Sequence, residues 1–290
     1  MIYSRKIWLL SSIFLYFSGI AQTNTGLQTS GPDNGSLLIC GGGALGSDIW
    51  EKFVALAGGE NARIVVIPTA LGDDISGANG TVNTLKKTGA ATVTILHTTD
   101  PKEASKPAFY APLQNATGVW FSGGRQWRIV DAYGGTATQR EIEKVLERGG
   151  VIGGSSAGAT IQGSYLVRGD THGNTLMMGD HTVGFGYLKN AAIDQHVIRR
   201  SRLFDMIPVI EKYPDLLGIG IDEGTAILVQ KNTLQVVGKS YVAIYDAREW
   251  NTQKEKTGKV NHPFFFLSPG QLFDVGQRKL MDRRSAPVAD

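Results

Sequence analysis

Few of the usual handles are present in these 290 residues: there is one cysteine, five histidines, and no marked excess of either charge, with 29 Lys and Arg against 26 Asp and Glu. A lone cysteine, Cys40, excludes an internal disulfide framework and any Cys-rich metal site. It closes the apolar run 37–40, so it is expected to be a buried small hydrophobe. Basic residues spread along the chain give no patch for nucleic acid, which is not expected as a partner. Long apolar runs are also missing, apart from 7–20 near the N-terminus.

That run follows Arg5 and Lys6 and ends in Gly19-Ile20-Ala21, the pattern of a signal peptide over 1–21. It is short for a membrane span, so the mature protein is expected to be exported to the periplasm or outside the cell, without a membrane anchor. Residues 22–36 are Thr, Gly, Gln, Asn and Ser with almost no apolar side chains, and are expected to form a flexible lead-in. A single α/β domain is expected over 37–290.

Within it, apolar runs at 37–40, 63–68, 92–97, 118–121 and 151–153 alternate with helix-like segments at 47–57, 80–87 and 138–148. Such alternation predicts a mostly parallel sheet flanked by helices on both faces, with ligands beyond the carboxyl ends of the strands. After residue 215 the runs 218–230, 234–237 and 241–245 predict antiparallel strands. A charged loop is expected at 252–258 and one further strand within 263–275.

The strongest chemical signal is Gly154-Ser155-Ser156-Ala157-Gly158, a G-x-S-x-G turn between an apolar strand and a plausible helix. Small neighbours let the chain turn sharply and aim amides at a reacting centre. A serine needs a base and a group that orients the base. His196 has the best setting, in Asp194-Gln195-His196 between apolar residues, and Asp222 and Glu223 interrupt the apolar stretch Gly218 to Ala226. Spacing leaves open which acid orients the histidine and which holds backbone.

Together with Gly123-Gly124-Arg125-Gln126, these segments resemble cyanophycinase and its relatives, including aspartyl dipeptidases, in the same order from about Leu37 to the end. The resemblance implies a fold similar to class I glutamine amidotransferase domains, which is flavodoxin-like, and a triad of Ser156, His196 and Glu223. It implies that Gln126, Asp194 and Gln195 shape the substrate pocket, with Arg200 and Arg202 available to a substrate carboxylate. Gly123, Gly124 and Ala157 are candidate oxyanion donors. The substrate implied is a peptide or dipeptide containing aspartate, a homodimer is the assembly suggested, and the chemistry asks for no metal or cofactor.

Two positions depart from the family pattern: Arg125 stands where an aspartate is usual, and Asp205 where an arginine is usual. Both charges are inverted, so the two are expected to face each other or to share one substrate group, altering what is recognised. Other readings remain. An α/β-hydrolase esterase would need His262 after the acids. Gly41-Gly42-Gly43-Ala44-Leu45-Gly46 matches a dinucleotide-binding pattern, though the next run lacks the expected acid. Asp170, His172, Asp180 and His181 fit no metal motif in their spacing. A catalytically silent binding protein on the same fold is the last alternative.

Overall fold

The structure is a computed structural model describing residues 28–282. The leader expected at 1–21 and the first part of the lead-in lie outside the described residues.

Each of the five early apolar runs forms a strand: β1 (Ser36–Cys40), β2 (Arg63–Ile67), β3 (Thr92–Ile95), β4 (Gly118–Phe121) and β5 (Val151–Ser155). They pair in parallel in the order β1-β5-β4-β2-β3. The connections carry α1 (Ser47–Leu56), α2 (Ala78–Lys87), α3 (Pro107–Gln114), α4 (Gln126–Tyr133) and α5 (Ala137–Glu147). Alternation along β1 shows why the run is apolar throughout. Leu38 and Cys40 pack under α1 and α2 with Phe53, Leu85 and Trp120, whereas Leu37 and Ile39 face Ile129, Ile142 and Val145 of α4 and α5. Burial pushes the Cys40 thiol far above its usual range, as expected of an inert core group.

The rest of the chain builds α6 (Ala157–Thr160), β6 (Gly163–Gly169), β7 (His181–Val183), β8 (Leu188–Gln195), α7 (Ile207–Lys212), β9 (Leu217–Ile221), β10 (Thr225–Gln230), β11 (Thr233–Gly238), β12 (Val242–Asp246), α8 (Ala247–Thr257), β13 (Phe265–Leu267), β14 (Leu272–Asp274) and β15 (Lys279–Met281). Antiparallel β10, β11, β14 and β15 extend the first sheet to nine strands, and the others form a second sheet, β13-β12-β9-β8-β6-β7. Ile193, Ile219 and Ile244 of the second sheet share one core with Leu37, Val65 and Phe121 of the first. On its outer face, Ala192, Ala243 and Tyr245 pack under Val209 and Ile210 of α7 and Trp250 of α8. The doubly wound α/β fold with a C-terminal antiparallel extension is as expected; the second sheet is additional.

Four expectations change. The stretch 218–230 is two strands in different sheets, joined by Asp222, Glu223 and Gly224. Residues 252–258 are not a loop: α8 covers most of them, with Asp246 accepting from the Arg248 amide at its start and Gly258 left-handed at its end. Its charged surface hid a helix whose buried side is only Ala247 and Trp250. The segment 263–275 holds two strands, β13 and β14, one in each sheet. Finally, the described part of the lead-in is packed: Thr29 is buried, Ser30 pairs with Lys189, and Arg278 donates to the Thr29 hydroxyl at 3.0 Å. Hydrogen bonding to the rim of the second sheet orders this polar segment without an apolar core of its own. Among the described residues no helix is long and apolar enough to cross a membrane.

Candidate active site

Five strand ends converge at one edge of the molecule. β1 runs into Gly41-Gly42-Gly43, β4 into Ser122-Gly123-Gly124, β5 into Ser156, β8 into His196, and β9 into Asp222-Glu223. This is the carboxyl edge of the parallel strands, where α/β sheets bind ligands.

Ser156 occupies φ 57 and ψ −109, a conformation that L residues avoid. The surroundings hold it there. Its amide donates to the Cys40 carbonyl at 3.0 Å, and a side chain on Gly154 or Gly158 would collide with the Gly158 or Phe121 backbone respectively. Only small residues fit around this turn, which thrusts the Ser156 hydroxyl out of the sheet.

His196 also has positive φ, 57, and its amide donates to the Gly41 carbonyl at 3.0 Å. The Gly224 amide in turn donates to the Gly42 carbonyl at 2.9 Å. A Cβ on Gly42 would enter the His196 ring, and one on Gly43 would lie 2.6 Å from Glu223 Oε2. The three glycines are therefore the floor on which the histidine and glutamate rest. Their role here is close approach, which accounts for the pattern without a dinucleotide.

On that floor a continuous hydrogen-bonded chain forms. His196 Nε2 lies 3.0 Å from Ser156 Oγ, and His196 Nδ1 lies 2.6 Å from Glu223 Oε1. An ionised Glu223 can only accept, so it holds the proton on Nδ1 and leaves Nε2 free to accept from the serine. Burial lowers the His196 pKa below its ordinary value; Arg200 and Arg202 push the same way, against the hydrogen bond from Glu223. Burial and the two guanidiniums thus favour the neutral imidazole.

Asp222 performs the other task that spacing left open. Its Oδ1 accepts the Ile198 and Arg199 amides at 3.1 and 2.8 Å, and its Oδ2 accepts the Ser240 hydroxyl at 2.8 Å. It fastens the turn that follows His196. Sequence reading did not find Ser240, an exposed-looking polar residue in a turn.

Gly123 stands beside the serine, with its missing Cβ 3.4 Å from Ser156 Cβ, and Gly124 has φ 135 against the Ala70 carbonyl. Among the described residues no loop or turn hydrogen bond engages the amides of Gly123, Gly124 and Ala157; Gly123 adjoins Ser156 in space and Ala157 follows it in the chain.

Several residues expected to line a pocket are engaged elsewhere. Gln126 is buried, and its amide nitrogen donates at 2.8 Å to the carbonyls of both Val167 and Arg168, tying α4 to β6. Asp194 is 1% exposed, with both oxygens taken by Arg168 at 2.8 Å. Gln195 is buried and accepts from Arg202 at 3.1 Å. Interior polar groups must find partners, and these three find them within the protein, at the ends of the elements that carry the site. Arg202 is also largely buried and, among the described residues, forms no salt bridge, and Arg200 is exposed.

Arg125 and Asp205 do not pair with each other. Arg125 donates to the carbonyls of Asp170 and Gly173, and Asp205 accepts from Arg168 at 2.7 Å. Arg168 is the residue that sequence reading missed. Its signal was a charge closing the apolar run Tyr165 to Val167 in β6, a sign of a buried, partnered guanidinium.

The remaining candidates serve other purposes. Asp170 Oδ1 accepts the His172 and Gly173 amides at 2.9 Å. His181 lies between Asp180 and Asp131 at 3.0 and 2.8 Å; burial opposes its protonation, but the two carboxylates outweigh it and raise its pKa. His262 is exposed near α8, where its carbonyl accepts from Gln253 at 3.0 Å, and the histidine bonded to Ser156 is His196.

Known proteins resemble this chain in sequence and in fold. The profile of peptidase family S51 matches residues 37–237. A cyanophycinase from Trichormus variabilis is 30% identical over 261 residues, 85% of this chain and 87% of that protein. One from Synechococcus elongatus is 30% identical over 253 residues, 83% and 79% of the two chains. Among solved structures, a peptidase from an acI-B1 Actinobacterium superposes with a TM-score of 0.62 at 23% identity, covering 86% of this chain and 98% of its own. A putative peptidase E protein from Listeria monocytogenes EGD-e gives 0.53 at 16% identity, covering 71% and 99%.

Proposed function

From the premise that this chain belongs to peptidase family S51 and is a serine-type peptidase, we propose that Ser156, His196 and Glu223 are its nucleophile, base and orienting acid, and that it cleaves amide bonds at aspartyl residues. The observation that carries the triad is His196, hydrogen-bonded to Ser156 on one nitrogen and Glu223 on the other.

His196 Nε2 takes the Ser156 proton as Oγ attacks the amide carbonyl. Negative charge developing on the carbonyl oxygen meets the amides of Gly123, Gly124 and Ala157, each donor worth roughly 3 kcal/mol in the transition state. The imidazolium, stabilised by Glu223, then gives its proton to the departing amine, leaving an acyl-serine. Water attacks this ester with His196 again as base, and the acid product leaves. Glu223 keeps its hydrogen bond to His196 Nδ1 throughout. Arg200 and Arg202 supply the positive charge for a substrate carboxylate, a task that suits a guanidinium with unused donors. The aspartyl preference draws on the cyanophycinase relatives, and export on the leader pattern at 1–21. A homodimer is the expected assembly, read by light scattering.

The deciding experiment incubates the mature protein with cyanophycin, β-aspartyl dipeptides and α-aspartyl dipeptides and identifies products by mass. Aspartyl products are expected from the wild type, with kcat lowered about 10⁶-fold in Ser156→Ala. Full activity in Ser156→Ala would overturn the triad. A serine-directed sulfonyl fluoride that labels nothing would favour a silent binding protein.

A further inference from the structure

The loop between β6 and β7 is held from two sides by two arginines. From one side, Arg168 NH1 donates to the carbonyls of Asn174 and Thr175 at 3.0 and 3.4 Å. From the other, Arg125 NH2 donates to those of Asp170 and Gly173. Each arginine is also rooted in the site. Arg125 directly follows Gly124, and its amide is fixed to the Ala70 carbonyl at 2.8 Å. Arg168 forks onto Asp194, two residues before His196, and its NH2 also reaches Asp205, in the segment after His196.

We propose that Arg168 is a positioning residue of the hydrolytic site and that Arg125 and Asp205 act with it as one clamp through the 170–175 loop, setting the shape into which substrate must fit. This rests on the peptidase reading above. The two inverted charges are thereby linked through a shared loop instead of through each other.

The physical case is connectivity. Arg168 is 1% exposed, has φ 57, and spends its NH1, NH2 and Nε donors on two carboxylates and two carbonyls, so it cannot shift without breaking several charge-assisted bonds. Loop carbonyls that face two guanidiniums have little freedom. Asp170 further ties the loop by accepting the His172 and Gly173 amides, and Asp180 accepts both the amide and the hydroxyl of Thr171 at 3.1 and 2.6 Å. A displacement at Arg125 therefore reaches Asp205 through packed, hydrogen-bonded atoms, the kind of neighbouring pair for which mutational effects do not add. None of these groups touches Ser156 or the His196 ring, which separates positioning of substrate from activation of the serine.

The test is a double-mutant cycle with Arg125→Gln and Asp205→Asn, together with Arg168→Lys, which keeps the charge and loses the fork. Each single variant is expected to lower kcat/KM on the preferred aspartyl dipeptide about tenfold, mainly through KM, and the double variant to lose clearly less than the product of the two. Sulfonylation of Ser156 by a small sulfonyl fluoride is expected to stay within about twofold of wild type, because the serine and histidine are untouched. Amide hydrogen exchange in 171–176 of the whole protein is expected to rise in each variant, and no further in the double. Additive losses with independent exchange, or sulfonylation falling in parallel with peptidase activity, would overturn the clamp. Should Arg168→Lys fail to fold, the cycle between the partly exposed Arg125 and Asp205 decides alone. If the wild type is labelled but cleaves no aspartyl dipeptide, the substrate reading falls, and the exchange experiment still decides the clamp.

Discussion

The two sheets contribute to the site in different currencies. At the end of the nine-stranded sheet nearly everything is backbone: Gly41 to Gly43, Gly124, Gly154 and Gly158 pack so closely that added side chains would strike carbonyls, the His196 ring or Glu223. At the end of the six-stranded sheet nearly everything is side chain and charge: Arg168, Asp194, Gln195, His196, Arg202 and Asp205. One side presents a strained serine and backbone amides, and the other presents a base held by hydrogen bonds. Glu223 sits where the chain crosses from the second sheet to the first, so the acid is delivered by the join between them. Close approach demands the absence of atoms, and proton transfer demands their exact pairing.

That contrast can be broken most severely at the join. Glu223→Gln leaves the shape intact but permits the wrong histidine tautomer, and kcat should fall about 10³- to 10⁴-fold in steady-state assays. Next comes Arg168→Met on the charged side. It leaves the buried Asp194 side chain without its arginine partner, and denaturant titration should show a loss of ~3–5 kcal/mol. On the backbone side, Gly42→Ala places a methyl group in the His196 ring at φ 112. Displacing the imidazole by about an ångström should cost roughly 100-fold in kcat, with a far smaller change in melting temperature than Arg168→Met.

The mildest test is electrostatic. Because the His196 pKa is lowered, the neutral base persists as pH falls, and the acid limb of kcat/KM should lie below pH 6.5. Arg200→Gln removes a positive neighbour that disfavours the imidazolium, so the pKa rises and the limb moves toward higher pH. A limb unmoved by Arg200→Gln, or moved the other way, would place that guanidinium outside the field of the histidine.

The same contrast explains what could be read in advance. Buried parallel strands announce themselves as apolar runs, so β1 to β5 were legible nearly to the residue, as was the Ser156 turn with its small neighbours. The order Ser156, His196, Glu223 was legible through family resemblance, and the structure brings the three into one hydrogen-bonded chain. Helix α8 was hidden because a helix with only Ala247 and Trp250 buried has too few apolar points to show a period. Gln126, Asp194 and Gln195 were expected to shape the pocket because the family resemblance implies it. Whether such residues meet solvent, substrate or another side chain depends on neighbours far away in sequence, here Val167, Arg168 and Arg202.

By itself, then, the order of residues determined the α/β architecture and the small-residue turn that bares Ser156. Periodicity and steric limits act over a few residues, and a linear chain displays them directly. Only the tertiary structure decided the division of labour between Asp222 and Glu223, the glycine floor beneath His196, and the separate anchoring of Arg125 and Asp205. Those are matters of distance and desolvation between segments brought together by folding, and a charge shows its partner only when both occupy the same few ångströms.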